Sequence, residues 1–176
     1  SLQDALHGLQ EWGERWRVTF EPSKSQQLLC TRSLDPATPG ISFGGVDIAQ
    51  ASTLKLLGIL FDSKLSFRQH ISSMAVRASQ RLGLLRRAAR ILDTNGRLSV
   101  YRGFIRPMLE YAPLVWMSAA PTHLARLDRI QRKAMAIIGP DVLLQSLAAR
   151  RTLSGLYYMY KLQCIGSLQQ LTNIVP

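Results

Sequence analysis

Two cysteines in 176 residues, Cys30 and Cys164, form no C-x-x-C motif and no ligand pattern with His7, His70 or His123. That excludes a disulfide scaffold and a zinc ribbon, and leaves the expectation of two reduced core thiols. Acids are also scarce: eleven Asp and Glu face twenty-two Lys and Arg, a net charge of +11. No apolar run approaches the roughly 20 residues of a membrane-spanning helix, and no basic n-region with an h-region and cleavage site opens the chain. The phosphate-cradling G-x-x-x-x-G-K-[ST], the nucleophile elbow G-x-S-x-G and the zinc-ligating H-E-x-x-H are missing. Paired carboxylates able to hold two metals are missing too, and Asp47 and Asp62 read as turn residues.

What is present is a hydrophobic content of 47%, enough for a globular class, and a strongly uneven charge. Ten of the basic residues lie between Lys64 and Arg106, against a single acid there, Asp93, so that stretch carries +9. Ahead of Lys64 the balance is net −2, from five basic and seven acidic residues. A concentrated cationic field attracts a polyanion, and nucleic acid is the commonest one.

Periodicity divides the chain in the same place. Leu2, Ala5, Leu6, Leu9, Trp12 and Trp16 predict an opening helix with one apolar face. Trp16, Val18 and Phe20 alternate as a strand, and a second strand is expected over Ser25 to Thr31. Gly44-Gly45 reads as a two-residue hairpin, and Leu54 to Phe61 as an apolar strand interrupted at Gly58. From Phe67 the period becomes helical. Phe67, Ile71, Met74, Ala78, Leu82, Leu85, Ala89 and Leu92 stay within an arc of about 80° at 100° per residue. Asp93 to Gly96 breaks that helix and offers a cap, and Pro107 should kink or divide the next. Pro121 opens a third helix that Gly139-Pro140 closes, with one or two more expected from Val142 to about Leu171. The expected class is α+β: a short helix and small antiparallel sheet over 1–64, a helical basic region over 65–139, and a helical extension over 140–176. The chain opens on Ser1 and ends on Pro176 without caps, so both ends are expected to be cut from something longer.

The run from Leu57 to Ile71, Leu-Gly-Ile-Leu-Phe-Asp-Ser-Lys-Leu-Ser-Phe-Arg-Gln-His-Ile, resembles a junction in reverse transcriptases of non-long-terminal-repeat, jockey-like retrotransposons. Those enzymes read L-G-[VI]-x-[LF]-D-x-x-L-[ST]-[WF]-x-x-H-[IV] there. Leu9-x-x-Trp12 through Lys24-Ser25, Tyr111-Ala112-Pro113 through Trp116, and Leu127-x-x-Ile130-Gln131-Arg132-Lys133-Ala134 resemble further family segments. The resemblance implies that residues 1 to about 64 end a polymerase palm and that the remainder is thumb and the region after it. It implies Mg²⁺ for the intact polymerase, held by aspartates upstream of this segment, with no cofactor bound by the segment itself. The implied partners are an RNA template with its DNA primer and the upstream palm and fingers of the same polypeptide, with no membrane. The implied setting is intracellular, nucleus and cytoplasm both remaining open.

Within that resemblance Lys24 matches the palm lysine, which could serve as an auxiliary general acid on departing pyrophosphate. Glu21 and Ser25 depart from the family's Asn and Thr, and a solvated turn lysine is the plainer reading of the residues alone. Leu57, Gly58 and Ile59 resemble the hairpin that supports the primer's 3′ end; a core strand is the alternative, and Leu57 and Ile59 are expected in the core on either reading. Arg68, Arg77, Arg81, Arg86, Arg87 and Arg90 would track the phosphates of the template–primer duplex without reading bases. A solvated helix face is the competing account, though such a face would usually mix signs. Tyr101, Tyr111, Trp116, Tyr157, Tyr158 and Tyr160 could stack on bases, but core packing is the preferred reading. Two other functions stay open: a non-catalytic nucleic-acid-binding protein derived from such an element, and a helical adaptor whose basic face meets an acidic partner.

Overall fold

The computed structural model describes residues 2–31, 33, 37 and 39–164. The chain divides into two compact units, Ser1–Phe67 and Arg68–Pro176.

The first unit opens with α1, Leu2–Trp16. Its Gly13 is buried because Phe20 and the Val18 carbonyl press against it; a Cβ there would meet Phe20 Cε2 at 2.6 Å and Val18 O at 2.9 Å. The strand expected over Trp16 to Phe20 does not form: Arg17 takes a positive φ of 54° and Val18 N donates back to Gly13 O. Close packing on the glycine replaces a sheet ladder at this point. After a tight turn at Pro22–Lys24, β1 is reduced to Gln26–Gln27. β2, Ser42–Phe43, and β3, Val46–Asp47, form the expected hairpin, with positive φ at both Gly44 and Gly45. α1 adds to its edge through one side chain, since Gln3 both donates to Ser42 O and accepts from Ser42 N. β4, Ala49–Gln50, pairs in parallel with β1.

Leu54 to Phe61 is not one strand. It is a hairpin of β5, Thr53–Leu56, and β6, Ile59–Asp62, turning at Leu57-Gly58. A two-residue turn of this kind needs φ > 0 at both central positions, and Leu57 (48°) and Gly58 (84°) supply it. Leu57 is consequently thrust outward and 82% exposed, so its expected place in the core is corrected; Ile59 is buried.

The second unit is helical. α2, Arg68–Ala88, buries Ile71, Met74, Ala78, Leu82 and Leu85 along the expected stripe. Asp93 caps α3, Thr94–Val100, by accepting from Gly96 N at 2.8 Å. The chain then widens into a π-type turn over Tyr101–Ile105, closed by Arg106 N donating to Tyr101 O. α4, Arg106–Leu109, follows with Pro107 in its first turn. Proline has no N–H for an i−4 carbonyl, so the helix divides here instead of running on. α5 is Pro113–Trp116. α6, Pro121–Ile138, ends at Gly139, and α7 is Leu147–Cys164. Tyr101, Ile105, Leu109, Trp116, Leu127, Ile138 and Leu147 are fully enclosed, each apolar side chain of this size stabilising by about 1.5–3 kcal/mol relative to exposure. Any helix expected beyond Cys164 lies outside the described residues.

Two expectations about burial are reversed. Both cysteines are free but exposed. Tyr101 and Trp116 are core, whereas Tyr111, Tyr157, Tyr158 and Tyr160 are exposed. No described helix is long and apolar enough to cross a membrane.

Candidate nucleic-acid interface

Sixteen basic and four acidic residues from Arg68 onward give the second unit a net charge of +12; the first unit, through Phe67, is net −1. Where those few acids point decides what the cations can do. Glu110 is held bidentately by Arg150 and lies 3.8 Å from Arg106 Nε. The Arg150 pairing raises that residue's pKa, through the hydrogen bond first. Asp128 meets the buried Arg151 at 3.3 Å. Asp93 is occupied as a cap. Three of the four carboxylates are thus spent on internal joints, and the fourth, Asp141, is exposed in the loop after α6. Among the described residues none lies in ion-pair range of Arg77, Arg86, Arg87, Arg90, Arg129 or Lys133.

Several arginines are structural. Arg97 donates to three carbonyls, Ala89 O at 2.7 Å, Leu92 O at 2.9 Å and Ile137 O at 3.4 Å, tying the turn after α2 to the end of α6. Arg81, expected on phosphate, is half-buried; its Nη1 donates to Phe104 O at 2.5 Å and its guanidinium lies 4.5 Å from the Phe104 ring centroid. Arg68, Arg77, Arg86, Arg87 and Arg90 are exposed as expected. At 100° per residue Arg68 and Arg86 project from one flank of the α2 stripe, Arg77 and Arg81 from the other, and Arg87 points directly away from it.

The first of those flanks faces α6 across a groove of about 550 Å³. One wall is Ser72, Ser79 and Gln80 of α2; the other is Arg126, Arg129 and Lys133 of α6. Small and apolar residues, Ala75, Val76 and Ile130, form the floor. At one point the walls touch, where Arg126 Nη1 approaches Ser72 Oγ at 3.4 Å. The α6 cations were not among the expected site residues. Their i, i+3, i+7 spacing marked one helical face, but in sequence they are outshone by the denser run in α2.

The remaining expected sites lie in the first unit. Lys24 is exposed at the end of its tight turn, and neighbouring Glu21 accepts from Ser23 Oγ at 2.6 Å. Among the described residues no hydrogen bond or ion pair joins Lys24 to the Leu57–Ile59 hairpin. Asp62, at the hairpin's foot, receives Lys64 N, Ser66 N, Ser66 Oγ and Phe67 N at 2.8–3.1 Å. Burial alone would raise its pKa, but those hydrogen bonds, led by Ser66 and Phe67, bring it below the ordinary 3.8. His70, the motif histidine, is enclosed against Trp116, with ring centroids 6.3 Å apart. Burial first, and then Arg77, lowers its pKa, so it is a neutral packing group. Among the described residues no three His, Cys, Asp or Glu side chains converge as a metal site, and no chemistry is assigned to a metal at these positions.

Known proteins bear on this geometry. The chain is 29% identical over 77% of its length to "RNA-directed DNA polymerase from mobile element jockey" of Drosophila funebris. It is 30% identical over 78% of its length to "Probable RNA-directed DNA polymerase from transposon BS", and 26% identical over 78% to that of transposon X-element, both of Drosophila melanogaster. This chain is homologous to part of the jockey-like, non-long-terminal-repeat retrotransposon polymerases. The chain spans about 15% of the length of the curated relatives it matches. No family model matches it, and no solved structure does.

Proposed function

We propose that the segment serves a retrotransposon RNA-directed DNA polymerase as its grip on the template–primer, with the second unit as thumb. The observation that carries this reading is the α2–α6 groove, with three cations on one wall and no carboxylate in its lining. From Arg126 to Lys133 the helix rises about 10 Å, the axial span of roughly three phosphate-to-phosphate steps of one strand. Contacts to phosphate position a duplex and leave its sequence unread, which suits an enzyme that must advance over any template.

In the same reading the first unit closes a palm. Its hairpin tip, Leu57-Gly58, lends an exposed apolar surface to the primer's 3′ end, and Lys24 assists pyrophosphate departure. Catalysis belongs to the longer polymerase, whose Mg²⁺ would be held by residues outside this segment.

Filter binding to an RNA–DNA hybrid over a range of salt tests the grip. Each phosphate contact contributes about 0.9 to the slope of log K against log salt on B-form duplex. The double variant Arg129→Gln with Lys133→Gln should lower the slope by about 2. An unchanged slope removes the groove from the interface; salt-independent binding removes the reading altogether.

A further inference from the structure

Arg81 and Phe104 are left over by the groove. They lie on the other flank of α2, where Phe104 projects from the π-type turn and stays 53% exposed although a guanidinium already covers part of its ring. Arg77 stands one helical turn before Arg81 on that flank, and Arg102 is exposed two residues before Phe104. Among the described residues no carboxylate pairs with Arg77, Arg81 or Arg102. The arrangement combines an aromatic face open to solvent with unpaired cations around it, the two components of a single-strand binding platform. A widened turn is itself uncommon and tends to mark a working position.

We propose that Phe104 is a stacking platform for one unpaired nucleobase, with Arg81 backing the ring and Arg77, on the same flank of α2, meeting the adjoining phosphate. The Arg81 hydrogen bond to Phe104 O fixes the cation over the ring before any ligand arrives, so the ring is held ready and its other face is left for the base. The partner is a single-stranded stretch of nucleic acid, since paired and stacked bases do not offer a free face. This site rests on the proposed grip of the unit on nucleic acid, but it is a second site on α2, served by different residues.

The test uses the whole chain, a single-stranded oligonucleotide carrying 5-iodouracil, and a matched hybrid duplex. Irradiation should cross-link the single strand to Phe104, located by mass spectrometry. Phe104→Leu, which keeps an apolar side chain, should weaken single-strand binding about tenfold, while Phe104→Tyr restores it. Affinity for the hybrid and its salt slope should not change. Full single-strand affinity in Phe104→Leu, or cross-links confined to other residues, overturns the platform; the groove reading survives either if Arg129→Gln with Lys133→Gln still lowers the slope. Equal loss on single strand and hybrid, without rescue by Tyr, also overturns it and makes Phe104 a packing residue.

Discussion

One carboxylate organises the turn that precedes the basic helix. Asp62 accepts four hydrogen bonds while Leu65 and Phe67, neither of them glycine, are held at φ 51° and 53°. Left-handed backbone costs such residues about 1–2 kcal/mol each, which the four hydrogen bonds to the carboxylate, at about 1 kcal/mol apiece, nearly offset. Asp62→Ala should therefore destabilise the first unit by about 2 kcal/mol in urea unfolding. The pH dependence follows from the lowered pKa. The ionised form is favoured by folding, so its stabilisation is complete above the unfolded value of 3.8 and is lost as pH falls through the folded value beneath it. The unfolding free energy of Asp62→Ala should accordingly lose the part of the acid slope that Asp62 contributes. An undiminished slope below pH 3.8 would mean that other carboxylates carry it. Sequence marked Asp62 as a turn residue and no more, because its partners depend on two backbone angles that no residue-type rule assigns to Leu or Phe.

At the scale of elements, the helices and the Gly44-Gly45 hairpin were legible from residue pattern, and the second hairpin was not. α2 and α6 follow from apolar spacing that the core then uses position by position; Gly139 closes α6, and Asp93 caps the start of α3 a few residues after α2 has ended at Ala88. Pro107 announced a division, but the π-type turn that accommodates it depends on local hydrogen-bond register. Periodicity read β5–β6 as one strand interrupted at Gly58, because Leu-Gly is not a favoured pair for its turn; only the family resemblance of Leu57-Gly58-Ile59 implied a hairpin there. In α7 the helix formed but the tyrosines misled: Tyr157, Tyr158 and Tyr160, read as core, face solvent. Leu57→Asn creates the preferred Asn-Gly turn, and should raise the stability of the first unit by about 1 kcal/mol. In the intact polymerase the same change should slow primer extension if the exposed leucine bears on the primer end. Faster unfolding would refute the strain, and unaltered extension the hairpin's role.

Over the whole molecule the charge is segregated between units, net −1 and +12, and the second unit carries its excess mostly on α2 and α6. Sequence made that asymmetry visible, but could not say which cations were free; the structure assigns Arg97, Arg150 and Arg151 to internal joints and leaves the α6 row exposed. Unpaired like charges on neighbouring helices repel, and the Debye length of about 10 Å at 0.1 M salt is comparable to the distance between packed helix axes. Added salt therefore acts on this protein with two opposite signs. It screens repulsion across the α2–α6 groove and should raise the melting temperature of the second unit, whereas it releases bound nucleic acid by making counterion release less favourable. Calorimetry of the free chain and filter binding over the same salt series should give curves that run in opposite directions. Arg129→Gln with Lys133→Gln should flatten both, because the same cations cause both effects. If the substitutions flatten the binding curve alone, the cations meet phosphate without straining the fold; if they flatten the melting curve alone, the groove is a cost of packing and the polyanion binds elsewhere.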